Sequence, residues 1–182
     1  MMTRIFSFIA VCLLLLGGGV RAQEAGSAMP VDKDTQLFTF QEVVSMEGTA
    51  DELYIRCIEW INTRYKNPAD ACRVRNRESA YIEIAHRFEI YNQAEGTRVN
   101  AGIVNYVLKI EFKPGRYRYT LTDLVLRQSS RYPIERWMDK SDSMYSPLYD
   151  SYLQQVNTQA LELIDSLKAG MQPPVVKQEE RW

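Results

Sequence analysis

The sequence predicts a two-layer α+β domain: one antiparallel sheet with two helices packed on one face. Three observations predict it. A capping box opens an amphipathic helix at Thr49, two strictly alternating runs flank a Pro-Gly near residue 114, and a second amphipathic stripe runs from Leu148. The 182 residues are 46% hydrophobic and 25% charged, which suits one domain with a core that needs no metal or disulfide.

The N-terminus carries Arg4, an apolar run from Ile5 to Leu16, and Val20-Arg21-Ala22. This pattern predicts a signal peptide over residues 1–22, cleaved after Ala22. The run is short for a membrane span, which takes about 20 residues. Cys12 lies inside it rather than just after the cleavage point, so no lipoprotein is expected. The expectation is a soluble exported protein, periplasmic or extracellular. Cleavage leaves 20 bases against 23 acids, a net charge of −3. That balance argues against nucleic acid as a partner.

Residues 23–36 read as an exposed lead-in, and residues 37–170 as the single folded domain. "LFTFQEVVSMEG" alternates with Phe38, Phe40 and Val44 on one face, a strand. Thr49-x-x-Glu52 then caps a helix whose Leu53, Cys57, Trp60 and Ile61 share one side, and Asn67-Pro68 stops it. "ACRVRNRESAYIEIAHRFEIY" reads as strand, turn and strand, with Ile82, Ile84, Phe88 and Ile90 facing one way. His86 shares that apolar face, as a core or edge histidine or a pH-sensitive one. "NQAEGTRVNAG" reads as a loop.

In the next run Val104, Tyr106, Leu108, Ile110 and Phe112 share a face, Lys113 to Arg116 forms a tight turn, and Tyr117, Tyr119 and Leu121 continue the apolar face on the return. Arg116 and Arg118 point the other way. Residues 128–147 show no sustained period. Ser146-Pro147 predicts a helix start, and Tyr152, Val156, Ala160, Leu163 and Leu167 form its stripe. Gly170 and Pro173-Pro174 end it, leaving 171–182 as a flexible tail.

The helix "ADELYIRCIEWI", the hairpin "YVLKIEFKPGRYRYTLTDL", "PIE" at 133–135 and the terminal helix together resemble a domain-of-unknown-function family. That family has a TBP-like fold and occurs in exported proteins of Bacteroides-type bacteria. The resemblance covers roughly residues 37–168, and Gly-Arg-Tyr-Arg-Tyr is its most specific part. It implies a TBP-like fold and export, and it implies no catalytic residues. A TBP-like fold does not imply DNA binding, because fold does not fix function.

No Gly-x-Ser-x-Gly, no CxxC and no Cys/His cluster occurs, and there is one histidine, so no enzyme, metal or cofactor is expected. Cys57 and Cys72 are either a disulfide or two separate thiols. Two binding surfaces are candidates. Arg116 and Arg118 on the hairpin offer charge-assisted bonds to an acidic ligand, or else pair across the sheet. Tyr132, Arg136, Trp137 and Tyr145 form a recognition surface, or else Trp137 plugs the end of the sheet. The functional expectation is a cell-envelope interaction module that binds another protein. The alternative is a small-ligand or glycan binder using the open sheet face.

Overall fold

In a computed structural model, residues 29–94 and 96–174 are described. The segment 1–22 expected to be a signal peptide, Cys12 within it, and the tail beyond Pro174 lie outside them. Strand β1 (Phe40–Ser45) leads into helix α1 (Ala50–Arg64). A short helix α2 (Pro68–Ala71) precedes strands β2 (Cys72–Asn76), β3 (Tyr81–Ala94), β4 (Thr97–Lys113) and β5 (Arg116–Leu126). A two-residue strand β6 (Tyr132–Pro133), a 3-10 turn (Ile134–Met138) and the long helix α3 (Leu148–Gly170) follow. The antiparallel sheet has the order β1-β5-β4-β3-β2, with β6 beside β5.

The local signals act as expected at most ends. Thr49 and Glu52 form the reciprocal capping box, with Thr49 N–H donating to Glu52 Oε2 at 2.7 Å and Glu52 N–H donating to Thr49 Oγ1 at 3.2 Å. Gly115 has a φ of +76°, which the Pro-Gly turn requires of its second central residue. Helix α3 begins at Leu148, and Ser146 Oγ accepts the Leu148 N–H at 3.3 Å.

Three segments differ from expectation, the first being the start of the tail, where Met171 is fully buried in the core and its N–H donates to the Leu167 carbonyl. "NQAEGTRVNAG" is largely strand: β3 and β4 pair out to Ala94 and Thr97. Gly96 to Asn100 are exposed, so no buried face marks them with alternation. The described part of the lead-in is tied down. Val31 bridges Phe38, Asp32 N–H donates to the Leu37 carbonyl, and Met29 joins the core.

The core lies between the sheet and α1 and α3. Ile82, Ile84, Val104, Leu108, Ile110 and Leu121 are fully buried beneath Leu53, Ile61, Val156 and Leu163. Facing residues alternate as the sequence predicts, and the sheet's register shifts include one that changes which residues of β5 reach the core. Between the pairs Asn105↔Val125 and Val107↔Thr122, β5 carries one more residue than β4. This bulge resets the phase, so that Leu121 and Leu124 both reach the core. It also holds Asp123 at φ +58°. Asp tolerates that left-handed conformation better than most residues.

Helices α1 and α3 meet at Trp60. Its indole N–H donates to Ser166 Oγ at 3.1 Å, and a Cβ placed on Gly170 would lie 2.8 Å from Trp60 Cβ and Cγ. Gly170→Ala therefore sets two effects against each other. Alanine gains about 1 kcal/mol over glycine in a helix, while overpacking costs about 1–3 kcal/mol. Because the clash is with the Trp60 stem rather than a flexible end, the expected outcome in urea denaturation is a less stable variant. A neutral or stabilising Gly170→Ala would contradict this packing.

Candidate functional site

The hairpin arginines are the simplest to place. Arg118 stands opposite Glu111 in the β4–β5 register and donates from Nε to Glu111 Oε2 at 2.7 Å. Arg118 is thus neutralised across the strands, an exposed pair worth about 0–1 kcal/mol. Arg116 is exposed, and with Arg118 and Val43 it borders a cavity of about 310 Å³ at the hairpin end of the open face.

The aromatic loop packs inward. Trp137 is 1% exposed and stacks on Tyr149 of α3, with ring centroids 5.2 Å apart. Tyr145 is half-buried and meets Tyr149 edge-on. Arg136 lies over the Tyr132 ring at 4.7 Å and bonds to Asp142 Oδ2 at 3.0 Å. Such an exposed cation–π contact contributes less than burying a large side chain. The four residues brace the loop against α3, and Trp137 presents no recognition face. Exposed apolar side chains do occur nearby, at Met138, Met144 and Leu148.

Cys57 lies buried on the sheet side of α1, and Cys72 opens β2 half-buried; both thiols are free. Burial, and next the neighbouring Cys72, pushes the Cys57 thiol well up, which makes it unreactive. Among the described residues no group of three His, Cys, Asp or Glu is placed to hold a metal ion. No helix among them is long and apolar enough to cross a membrane.

A cavity of about 680 Å³ opens where β2 gives out beside β3. Five cations border it: Arg64 at the end of α1, Lys66 just beyond it, Arg73 of β2, Arg87 of β3, and Arg131. Two carboxylates join them, Asp70 and Asp123. Arg131 is ion-paired with Asp123, and Arg64 lies over the Tyr65 ring at 5.9 Å. Among the described residues, Lys66, Arg73 and Arg87 have no carboxylate at ion-pair distance.

His86 sits on the rim, edge-on to Tyr65 at 5.0 Å. The Tyr65 and Tyr106 hydroxyls bond to each other at 3.0 Å behind it, and burial pushes the Tyr106 hydroxyl up to about 12. Desolvation lowers the imidazole pKa, a hydrogen bond to the Arg87 backbone opposes it, and the nearby Arg87 and Arg64 charges add to the lowering.

A second cavity of about 520 Å³ continues along the open face toward Thr35 and Gln41. The two share Arg73, Val107, Asp123 and Arg131, so they form one groove. Val107 is its apolar floor, 8% exposed although it faces away from the helices. None of the groove's cations stood out in the sequence. Their residue numbers run from 64 to 131, and only the sheet topology gathers them.

The profile of the family described as "Domain of unknown function (DUF4468) with TBP-like fold" matches residues 40–127. Over that segment the chain is similar to this family. A solved TBP-like protein from Parabacteroides distasonis superposes with a TM-score of 0.62 at 13% identity, over 80% of this chain and 97% of that one. A solved DUF4468 family protein from Bacteroides ovatus gives a TM-score of 0.62 at 16% identity, over 81% of this chain and 93% of that one. At such identities the likeness establishes the fold, a TBP-like open sheet with helices on one side. No curated protein matches the chain in sequence.

Glu135 ties the loop to the groove's wall. Its Oε1 accepts the Phe38 N–H at 2.7 Å, while Oε2 is buried without a hydrogen-bond partner. Burial raises its pKa, with the nearby Asp123 charge adding to the rise. A group whose pKa is raised on folding contributes stability at low pH that is lost as pH rises through the folded value. Relative to Glu135→Gln, the native chain is therefore expected to gain stability when urea denaturation is repeated at pH 5 instead of pH 7. An unchanged difference, or one of opposite sign, would show that Glu135 is not desolvated.

Proposed function

We propose that this domain is a non-enzymatic binding module of the cell envelope, exported by its apolar N-terminal segment, and that the groove beside β3 holds an anionic group of its ligand. The observation that carries this reading is the charge imbalance of the cavity. Five cations meet two carboxylates there, and among the described residues four of the five, all but Arg131, lack an acidic partner at ion-pair distance. Cations gathered without counter-charges repel one another, and a bound anion relieves that repulsion. Arginines further provide forked donors matched to carboxylate or phosphate.

The hairpin surface supports the reading less well, because Glu111 already occupies Arg118. A non-enzymatic role fits the placement of His86, the only histidine, against Tyr65 and Tyr106 rather than beside a nucleophile.

The test is calorimetric titration of the chain with citrate and with pyrophosphate at physiological and at low salt. The expected result is binding that weakens with salt, falls at least tenfold in the double variant Arg73→Glu/Arg87→Glu, and is unchanged in Arg116→Glu/Arg118→Glu. Binding indifferent to the groove reversal, or lost through the hairpin reversal, would overturn the assignment of the groove.

A further inference from the structure

Strand β3 is served along its outer edge in two ways, with a gap between them. The edge strand β2 pairs with it only from Tyr81 to Ile84. Farther along, two glutamines of α3 stand in for a neighbouring strand. The Tyr91 N–H donates to Gln155 Oε1 at 2.9 Å, and Gln155 Nε2 donates to the Tyr91 carbonyl at 2.9 Å. Gln159 Nε2 donates to the Glu89 carbonyl at 3.0 Å. Backbone groups of a paired strand point alternately to its two sides. Tyr91 and Glu89 face outward, so Arg87 and Ala85 face outward too. The register slip at this end leaves that alternation intact, because the extra residue, Ala101, lies on β4.

Ala85 to Arg87 thus forms a short strand edge with neither a strand nor a glutamine beside it, only the His86 imidazole bonded to the Arg87 backbone, and it is part of the wall of the cationic cavity. Edge backbone groups are a template for another chain. Here the template has cations on both sides. Arg87 and Arg73 lie toward the open face, and Arg64 and Lys66 lie at the end of α1. Side chains of an added strand alternate between those two sides, so consecutive acidic residues would each meet a cation. A sugar ligand would want an exposed ring to cover its apolar face. The tyrosines that border the groove, Tyr65 and Tyr106, are both buried.

We infer that the groove takes an extended acidic peptide segment of another protein, added to the edge of β3 at Ala85–Arg87 as a short strand in line with β2. The inference rests on the proposed anion-binding role and names the ligand class. A gap of about four residues at ~3.3 Å each admits a strand of about 13 Å, enough for two successive acidic residues and their neighbours.

The experiment is an NMR titration of the 15N-labelled full chain with the blocked peptide Ac-Thr-Glu-Glu-Val-Glu-Thr-NH2. The same peptide is also used N-methylated at the alternate positions that would face β3, alongside trigalacturonate and citrate. The inference expects the acidic peptide to shift the Ala85 and Arg87 amides most. It expects N-methylation to weaken binding at least tenfold with the charges kept, and Arg73→Glu/Arg87→Glu to do the same. Equal binding of the N-methylated peptide would overturn strand addition while leaving the anionic groove in place. Tighter binding of trigalacturonate would overturn the peptide class and also leave the groove in place. If the peptide, trigalacturonate and citrate all fail to bind, both the inference and the proposed function fall.

Discussion

A strand buried in a sheet needs hydrogen-bond partners along both edges, and β3 is fourteen residues long while its neighbour β2 has five. Much of the functional geometry follows from that mismatch. Helix α3 makes up part of it with Gln155 and Gln159, which is possible because its apolar stripe already lays it across the sheet. The remaining stretch of edge opens the cavity where Arg64, Arg73 and Arg87 converge. The one-sided burial of the sheet adds the second requirement. With α1 and α3 on one face, the opposite face is left to Val107, Asp123 and Arg131, which extend the cavity into a groove.

The contrast between the two arginine-bearing surfaces illustrates how charge must be counted. Arg118 on the hairpin looks available in sequence, yet its cross-strand neighbour Glu111 neutralises it. Arg87 looks like any solvated strand residue, yet it has no such neighbour and sits among like charges. In the same way Trp137 resembles a recognition anchor by composition. It instead fills the space between the 3-10 turn and Tyr149, where full burial outweighs any exposed contact.

Much of the fold was legible in the sequence because burial imposes period and caps impose chemistry. Thr49 and Glu52, the Pro114-Gly115 turn, and the stripe from Tyr152 to Leu167 each carry a local signal that the structure honours. The extension of β3 and β4 past residue 91 was not legible, since a hairpin arm exposed on both faces has no alternation to read. The bulge left a trace, for Leu121 and Leu124 break the two-residue period, but the trace becomes meaningful only against β4. The groove was hidden because its cations belong to four separate segments. Each of them, taken alone, reads as a solvated surface.

The measurement closest to the central claim is residue-resolved amide hydrogen exchange on the free protein. The account predicts that Tyr91, braced by Gln155, and Glu83, paired with β2, exchange slowly, while Ala85 and Arg87 between them exchange much faster. Protection of Arg87 equal to that of Tyr91 and Glu83 would mean the edge is already closed, and would contradict the account.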